Sequence, residues 1–159
     1  MAIEPVSVEV RVPLLVEDAF DLFTRRIGEW WPLAYTFAGS RTETVAVDEG
    51  QGGRWFERDD DERETSWGEI RAWRAPDTFT AAFAVSPTRS PEPPGQASEV
   101  TITFEPDGLY TRVSVHHHDW ERHGPQAQAM RDGMASDQGW PVILAEYLRA
   151  ARRQGAAEV

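Results

Sequence analysis

The chain contains no cysteine and no lysine among its 159 residues. The absence of cysteine excludes disulfides, thiolate nucleophiles, cysteine zinc sites and iron–sulfur clusters. The absence of lysine excludes a Schiff-base lysine and a P-loop lysine. The sequence also contains no G-x-G-x-x-G motif and no nucleophile elbow. Several common classes of catalytic site are therefore excluded before any fold is considered.

Positive charge is also scarce, because 16 arginines face 27 acidic residues and the net charge is −11. Such a surface repels phosphate backbones and anionic lipid, so we expect neither a nucleic acid nor a membrane as partner. No apolar run approaches a membrane span, and the first residues lack the basic and apolar regions of a secretory signal. We therefore expect a cytoplasmic protein.

An apolar fraction of 40% and a charged fraction of 27% are ordinary for a folded globular protein. The length fits one domain, which we expect to cover residues 1–159 with its core at about 6–153. The charged residues on the expected outer face of the sheet are consistent with either a monomer or a homodimer.

Seven segments have the pattern of β-strands. In the first, Val6, Val8, Val10 and Val12 alternate with polar residues, which predicts a strand with one apolar face. The short turns between the later segments favour an antiparallel meander. The strands are predicted at 6–12, 42–47, 53–58, 65–73, 78–85, 98–105 and 110–118. The proline-rich stretch 86–97 predicts a long loop of the kind that often forms a lid or rim.

Helical spacing of apolar residues occurs in four places. It predicts two short helices after the first strand, at 16–24 and 25–31, and a further short helix that carries Met130 and Met134. The strongest pattern is at 140–151, where the apolar side chains share one face. The fold class is therefore α+β, with a seven-stranded antiparallel sheet wrapped around a long C-terminal helix.

Five segments carry a resemblance to a known superfamily. They are GEWWP at 28–32, GGRWFE at 52–57, GEIRAWRAPDTF at 68–79, SEVTITFEPDG at 98–108 and GMASDQGWPVIL at 133–144. With the order of the elements, they resemble the SRPBCC superfamily, and within it the branch named after the activator of a heat-shock chaperone ATPase. The resemblance implies a START-like helix-grip fold, in which the sheet and the final helix often enclose an apolar cavity.

The same segments resemble the self-sacrifice resistance proteins of enediyne producers, among them the protein that protects against calicheamicin. That resemblance implies that a bound diradical takes a hydrogen atom from a backbone glycine of the protein. Gly108 and Gly124 lie in matching segments, and the choice between them stays open. The resemblance to chaperone activators implies less, because the separate chaperone-binding domain of the eukaryotic proteins has no counterpart here and the net charge is strongly negative.

Strand alternation assigns the candidate ligand contacts to the inner face of the sheet. It turns Phe83 and His117 inward, and it turns His116 and His118 outward. Trp31, Trp55, Trp67 and Trp120 lie near strand ends or loops, where large rings line pockets, whereas the patterns at Trp73 and Trp140 indicate packing. The expected ligand-binding residues are Trp31, Trp55, Trp67, Phe83, His117, Trp120, Met130 and Met134.

Polar contacts to a ligand are expected from Arg54, His117 and Asp119. A satisfied core histidine is the alternative interpretation of His117. His116 and His118 have the spacing of two metal ligands, but no third ligand follows from the sequence, so we expect neither a metal nor another cofactor. The acidic residues at 59–64 fit a solvated hairpin tip.

These observations favour a single-domain protein that binds an apolar or aromatic small molecule between the sheet and the last helix. Three alternatives remain open at this point. The first is self-sacrifice against an enediyne, and the second is a polyketide cyclase or dehydratase with His117 as general acid or base. The third is regulation of a chaperone ATPase. The pattern does not decide whether the protein is an enzyme.

Overall fold

The computed structural model describes residues 2–85, 91 and 94–157. Seven strands form one antiparallel sheet in the order β1-β7-β6-β5-β4-β3-β2. This is a meander from β2 to β7 with β1 added beside β7. The strands are β1 Val6–Val12, β2 Thr42–Val47, β3 Arg54–Asp59, β4 Glu64–Arg74, β5 Thr78–Phe83, β6 Ser98–Asp107 and β7 Tyr110–His118.

Three α-helices accompany the sheet, at Val16–Phe23 (α1), Ala127–Ala135 (α2) and Trp140–Ala157 (α3). Short 3-10 turns occupy much of the link from α1 to β2, and the predicted helix at 25–31 is one of them, at Ile27–Glu29. The predicted α+β fold, with a seven-stranded sheet and a long C-terminal helix, is confirmed. The helix α3 is longer than its apolar pattern predicts, because the pattern ends at Ala151 and the helix continues to Ala157.

Alternation along the strands gives the sheet one buried face. In β7 the side chains of Val113, Val115 and His117 are buried, whereas Arg112 and His116, which have the opposite parity, are exposed. The face assignment made from the sequence is therefore confirmed for this strand. The buried face carries the apolar core against which α1 and α3 pack.

Aromatic rings from α1 fill one half of this face. Phe20 lies 5.1 Å from Phe104, and Phe23 lies 4.9 Å from Tyr147 of α3, both measured between ring centroids in edge-to-face arrangements. The hydroxyl of Tyr147 donates to the carbonyl of Ala19 over 2.7 Å, which fixes α3 against α1. This half of the interior is therefore solidly packed.

The proline-rich loop predicted at 86–97 lies partly outside the described residues. Of that stretch the structure describes Pro91, which bridges to Val85, a 3-10 turn at Pro94–Gln96, and the buried Ala97. The suggested role of the loop as a lid stays a prediction. Among the described residues, no helix is both long enough and apolar enough to cross a lipid bilayer.

Candidate functional site

A cavity of about 320 Å3 occupies the other half of the space between the sheet and the helices. Buried rings of Trp31, Trp67 and Phe83 contribute to its lining together with Ile143 of α3. The exposed residues of the lining mark its mouth, which lies between the segment 34–37 and α2 with the turn that follows it. The full lining is Trp31, Ala34, Tyr35, Thr36, Phe37, Trp67, Phe83, Val85, Ala129, Met130, Gly133, Met134, Ser136, Gln138 and Ile143.

The lining is aromatic and apolar inside, with hydroxyl and amide groups at its edge. Thr36, Ser136 and Gln138 supply the polar atoms beside the phenol of Tyr35. No described residue of the lining carries a charged side chain at neutral pH. The cavity therefore suits an uncharged molecule with a large apolar surface and a few polar substituents.

Five of the eight side chains expected to contact a ligand line this cavity: Trp31, Trp67, Phe83, Met130 and Met134. Phe83 and Trp67 come from neighbouring strands, and the two methionines come from one face of α2, where their spacing of four residues brings them together. Methionine thioethers adapt to ligands of different shape, which suits a position at the mouth. Whether a ligand contacts these five residues stays a prediction.

The remaining three, Trp55, His117 and Trp120, lie outside the lining because each is buried by its neighbours in the core. Trp55 packs against Trp31 at 5.3 Å and against Trp67 at 5.4 Å, so it lies behind the two rings that line the cavity. Trp120 is fully buried and stacks on His117 at 3.7 Å. Position near a strand end, the criterion used on the sequence, therefore does not distinguish the buried rings of Trp55 and Trp120 from those that line the cavity.

His117 is fully buried and both of its ring nitrogens are engaged. The indole N–H of Trp140 donates to Nδ1 over 3.0 Å, and Nε2 lies 2.8 Å from the hydroxyl oxygen of Ser98. An indole can only donate, so Nδ1 is an acceptor and the ring proton lies on Nε2, which donates to Ser98. Burial lowers the pKa of His117 well below 6.5, and the neighbouring histidines, His123 first, lower it further.

Ser98 joins His117 to a second buried histidine, His123. The Ser98 hydroxyl accepts from His117 and donates to Nε2 of His123 over 2.7 Å. The ring of Phe83, which lines the cavity, lies 4.8 Å from the ring of His117. A ligand in the cavity would therefore meet Phe83 and not an imidazole nitrogen, and no general acid or base is available from His117 in this arrangement.

The other expected polar contacts, Arg54 and Asp119, do not reach the cavity. Arg54 is exposed, lies over the ring of Phe56 and pairs with Asp48 and Glu64 at 3.2 and 2.9 Å. Asp119 lies 3.2 Å from Nδ1 of His118 and 3.4 Å from Arg122. Arg54 fails because strand parity places it on the face of β3 opposite to Trp55 and Glu57. Asp119 fails because it lies after the end of β7, with a backbone φ of 61°, and pairs with His118 and Arg122.

The pairing of β6 with β7 brings together possible metal-binding residues that the spacing along the sequence did not indicate. Glu99 pairs with His118, and with Asp119 these residues bring three donor atoms within 4.8 Å of one another. Arg122 contacts both carboxylates, at 3.3 and 3.4 Å, and so already compensates part of their negative charge. The acidic hairpin tip at 59–61 is likewise paired with Arg41. Neither group gives reason to assign a metal site.

Glu57 is a residue of this region that the sequence interpretation missed. It is 1% exposed, and its carboxylate accepts hydrogen bonds from the backbone N–H groups of Phe37 and Ala38 and from the indole of Trp67. The signal was present, because Trp55 and Glu57 share the inward face of β3 and a glutamate on that face needs several donors.

The two glycines considered for hydrogen transfer lie away from the cavity. Gly108 is in the turn between β6 and β7, and Gly124 lies between a 3-10 turn and α2; neither belongs to the lining. Gly133 of α2 does belong to it, and a Cβ built at this position has no heavy atom within 4 Å. It is the one glycine among the described lining residues.

Comparison with known families and structures agrees with this architecture. The profile of the Activator of Hsp90 ATPase homolog 1-like protein family matches residues 14–151, which is most of the chain. The chain belongs to this family. It is therefore a member of the SRPBCC superfamily, as the five sequence segments indicated.

Two solved structures are similar in sequence as well as in fold. One is the self-sacrificing resistance protein CalC from Micromonospora echinospora, at 32% identity and a TM-score of 0.67, over 96% of this chain and 97% of that one. The other is the anthrahydroquino-gamma-pyrone synthase Txn09 in complex with SUM, at 29% identity and a TM-score of 0.66, over 93% and 97%.

A third structure shares the fold alone. Protein NE0264 from Nitrosomonas europaea has a TM-score of 0.67 at 14% identity, over 96% of this chain and 97% of that one. A comparison with curated proteins gave no match. The similar structures thus include a resistance protein and a synthase that share one ligand-binding fold. The fold alone therefore does not determine the chemistry, which depends on the cavity of each protein.

Proposed function

We propose that this family member binds an uncharged, planar aromatic small molecule in the cavity between its sheet and helices. The observation that carries the proposal is a cavity of about 320 Å3 lined by Trp31, Phe37, Trp67 and Phe83 with two methionines at its mouth. This volume lies at the lower end of the range of small-molecule sites, and flat rings pack well between indole and phenyl groups. The hydroxyl and amide groups at the edge would orient polar substituents.

Fluorescence of the tryptophans tests this proposal, because Trp31 and Trp67 line the cavity. The probe is danthron, a dihydroxyanthraquinone of three fused rings, added to the full chain at neutral pH. We expect saturable quenching with one site per chain, and isothermal titration calorimetry should give the same stoichiometry and dissociation constant. A linear, unsaturable response to danthron with no measurable heat would contradict the proposal.

A second candidate function, self-sacrifice against an enediyne, is supported by the identity of 32% with CalC and by Gly133 in the cavity lining. Transfer of a Cα hydrogen atom to a bound diradical would leave a carbon radical at Gly133, and addition of dioxygen would lead to chain scission. Treatment with thiol-activated calicheamicin followed by mass spectrometry should then give two fragments that meet near residue 133. An intact chain, or scission spread along the sequence, would reject this candidate.

A further inference from the structure

The buried carboxylate of Glu57 connects two walls of the cavity. Its Oε1 accepts from the backbone N–H of Phe37 over 2.6 Å and from the indole of Trp67 over 2.7 Å. Its Oε2 accepts from the backbone N–H of Ala38 over 2.9 Å and lies 3.4 Å from the hydroxyl of Thr42. Phe37 belongs to the mouth and Trp67 to the interior of the cavity, so one side chain holds both.

The segment 36–38, which we call the rim, has no regular secondary structure of its own. It lies between two 3-10 turns, at Leu33–Tyr35 and Gly39–Arg41. The hydroxyl of Thr36 accepts from Gly39 N–H and from Thr42, which leaves the N–H groups of Phe37 and Ala38 to the carboxylate. These two N–H groups are part-buried and point at a carboxylate that is 1% exposed, so Glu57 supplies the acceptors that hold the rim in this position.

The charge of Glu57 makes these contacts stronger than neutral ones. Hydrogen bonds to an ionised carboxylate are shorter and roughly twice as strong as those between neutral groups. The described residues that contact this carboxylate are hydrogen-bond donors and none is an arginine. The rim and the indole of Trp67 are therefore the groups that compensate the buried charge. Loss of either donor would leave the charge less compensated, so the carboxylate stabilises both in their positions.

We propose that Glu57 is a positioning residue for the ligand: by fixing the rim against Trp67 it sets the width of the cavity mouth and so the size of ring system that the site retains. This inference rests on the proposed function. The mouth is bounded by the rim on one side and by α2 on the other. A rim released from Glu57 moves relative to both α2 and Trp67, so a ligand that spans the full width loses more contact than a small one.

The variant Glu57→Gln tests the role with little change in side-chain volume. It replaces one acceptor oxygen by an NH2 group, which faces N–H donors instead of accepting from them, and it removes the charge. Binding is measured with danthron, which has three fused rings, and with naphthazarin, a dihydroxynaphthoquinone that has two. We expect danthron affinity to fall at least tenfold through faster dissociation, whereas naphthazarin affinity changes less than threefold.

A second variant, Thr42→Val, leaves the carboxylate charged and removes the hydroxyl that lies 3.4 Å from it and that also donates to Thr36 of the rim over 2.9 Å. It should fold normally and shift the ratio of danthron to naphthazarin affinity in the same direction by a smaller factor. If Glu57→Gln does not fold, an unchanged ratio in a folded Thr42→Val protein overturns the proposal, because both contacts of this hydroxyl hold the rim.

The matched control for loss of stability is Thr111→Val. Thr111 is fully buried and its hydroxyl donates to the carbonyl of Leu14 over 2.8 Å, on a part of the sheet that does not line the cavity. This variant should lower the melting temperature and leave the affinity ratio unchanged. Equal weakening of both probes in Glu57→Gln would indicate a merely structural role and overturn the inference. Failure of the wild-type chain to bind either probe would reject the proposed function instead.

Discussion

The indole N–H of Trp140, at the first residue of α3, donates to Nδ1 of His117 near the end of β7 over 3.0 Å. This contact ties the start of the long helix to the sheet behind the cavity. It requires a neutral imidazole, because a protonated ring carries a hydrogen on Nδ1 that would meet the indole hydrogen. The junction between helix and sheet is therefore sensitive to pH.

We predict that the free energy of unfolding falls as the pH is lowered below about 6.5. The pKa of His117 in the folded state is well below that ordinary value because the ring is buried. A histidine with a lowered folded pKa contributes stability that is fully present above its unfolded pKa and is lost as the pH falls toward the folded one. Urea unfolding at pH 7.5, 6.5 and 5.5 measures this loss.

Two variants assign the pH effect to the buried ring. His117→Gln should be less stable than the wild type at pH 7.5 and should lose less stability on acidification. His116→Gln is the control, since His116 is exposed on the same strand and contacts Ser7. The assignment to His117 fails if both variants keep the wild-type pH dependence.

We predict that Ser98→Ala destabilises the protein by about 1–3 kcal/mol, because the buried Nε2–H of His117 loses its acceptor, whereas Nε2 of His123 still accepts from the backbone N–H of residue 98. Ser98 is fully buried between His117 and His123. Chemical denaturation of the variant at pH 7.5 measures the effect. The control is Ser7→Ala, where an exposed hydroxyl contacts an exposed histidine and the cost should be below about 0.5 kcal/mol.

Replacement of two buried tryptophans by phenylalanine should have different costs. The indole N–H of Trp67 donates to Glu57, whereas no described residue accepts from the buried indole N–H of Trp55. Trp67→Phe should therefore be more destabilising than Trp55→Phe by about 1.5–3 kcal/mol, the range of a hydrogen bond to a charged group. Both variants lose the same volume, so thermal and urea unfolding of the pair compare the hydrogen bond itself. Equal destabilisation would show that the carboxylate does not depend on this donor.

We predict that Gly133→Phe blocks the cavity without unfolding the protein. A side chain at this position has open space before it, and glycine inside a helix already costs about 0.5–1 kcal/mol relative to alanine, so its replacement should not destabilise the helix. Affinity for danthron should fall by at least about tenfold, which is 1.4 kcal/mol. Gln128→Phe, on an exposed part of the same helix outside the lining, should bind as the wild type does. Unchanged affinity in Gly133→Phe would place the binding site elsewhere.

Much of the fold was predictable because its signals are local. Alternation fixed β1, β2 and β7 to the residue and gave the other strands within a few residues, and the apolar stripe located α3. The residues of the cavity were predictable in part. Strand parity turned Phe83 inward, and helical spacing put Met130 and Met134 on one face. Position near a strand end or loop selected Trp55 and Trp120 along with Trp31 and Trp67, and only the latter two line the cavity.

The sequence by itself determined the strands with alternating apolar residues, the apolar face of α3 and the family, since each signal lies in residues that are close along the chain. It also showed that cysteine and lysine are absent. The tertiary structure alone decided where the space lies: Phe20 and Phe23 fill one half of the concave face, and the half beside Trp31 and Trp67 stays open. It also decided that His117 is enclosed and that Glu57 holds the rim. These outcomes depend on residues that are far apart in the chain, because packing and hydrogen-bond partners are chosen only when the sheet and helices close on each other.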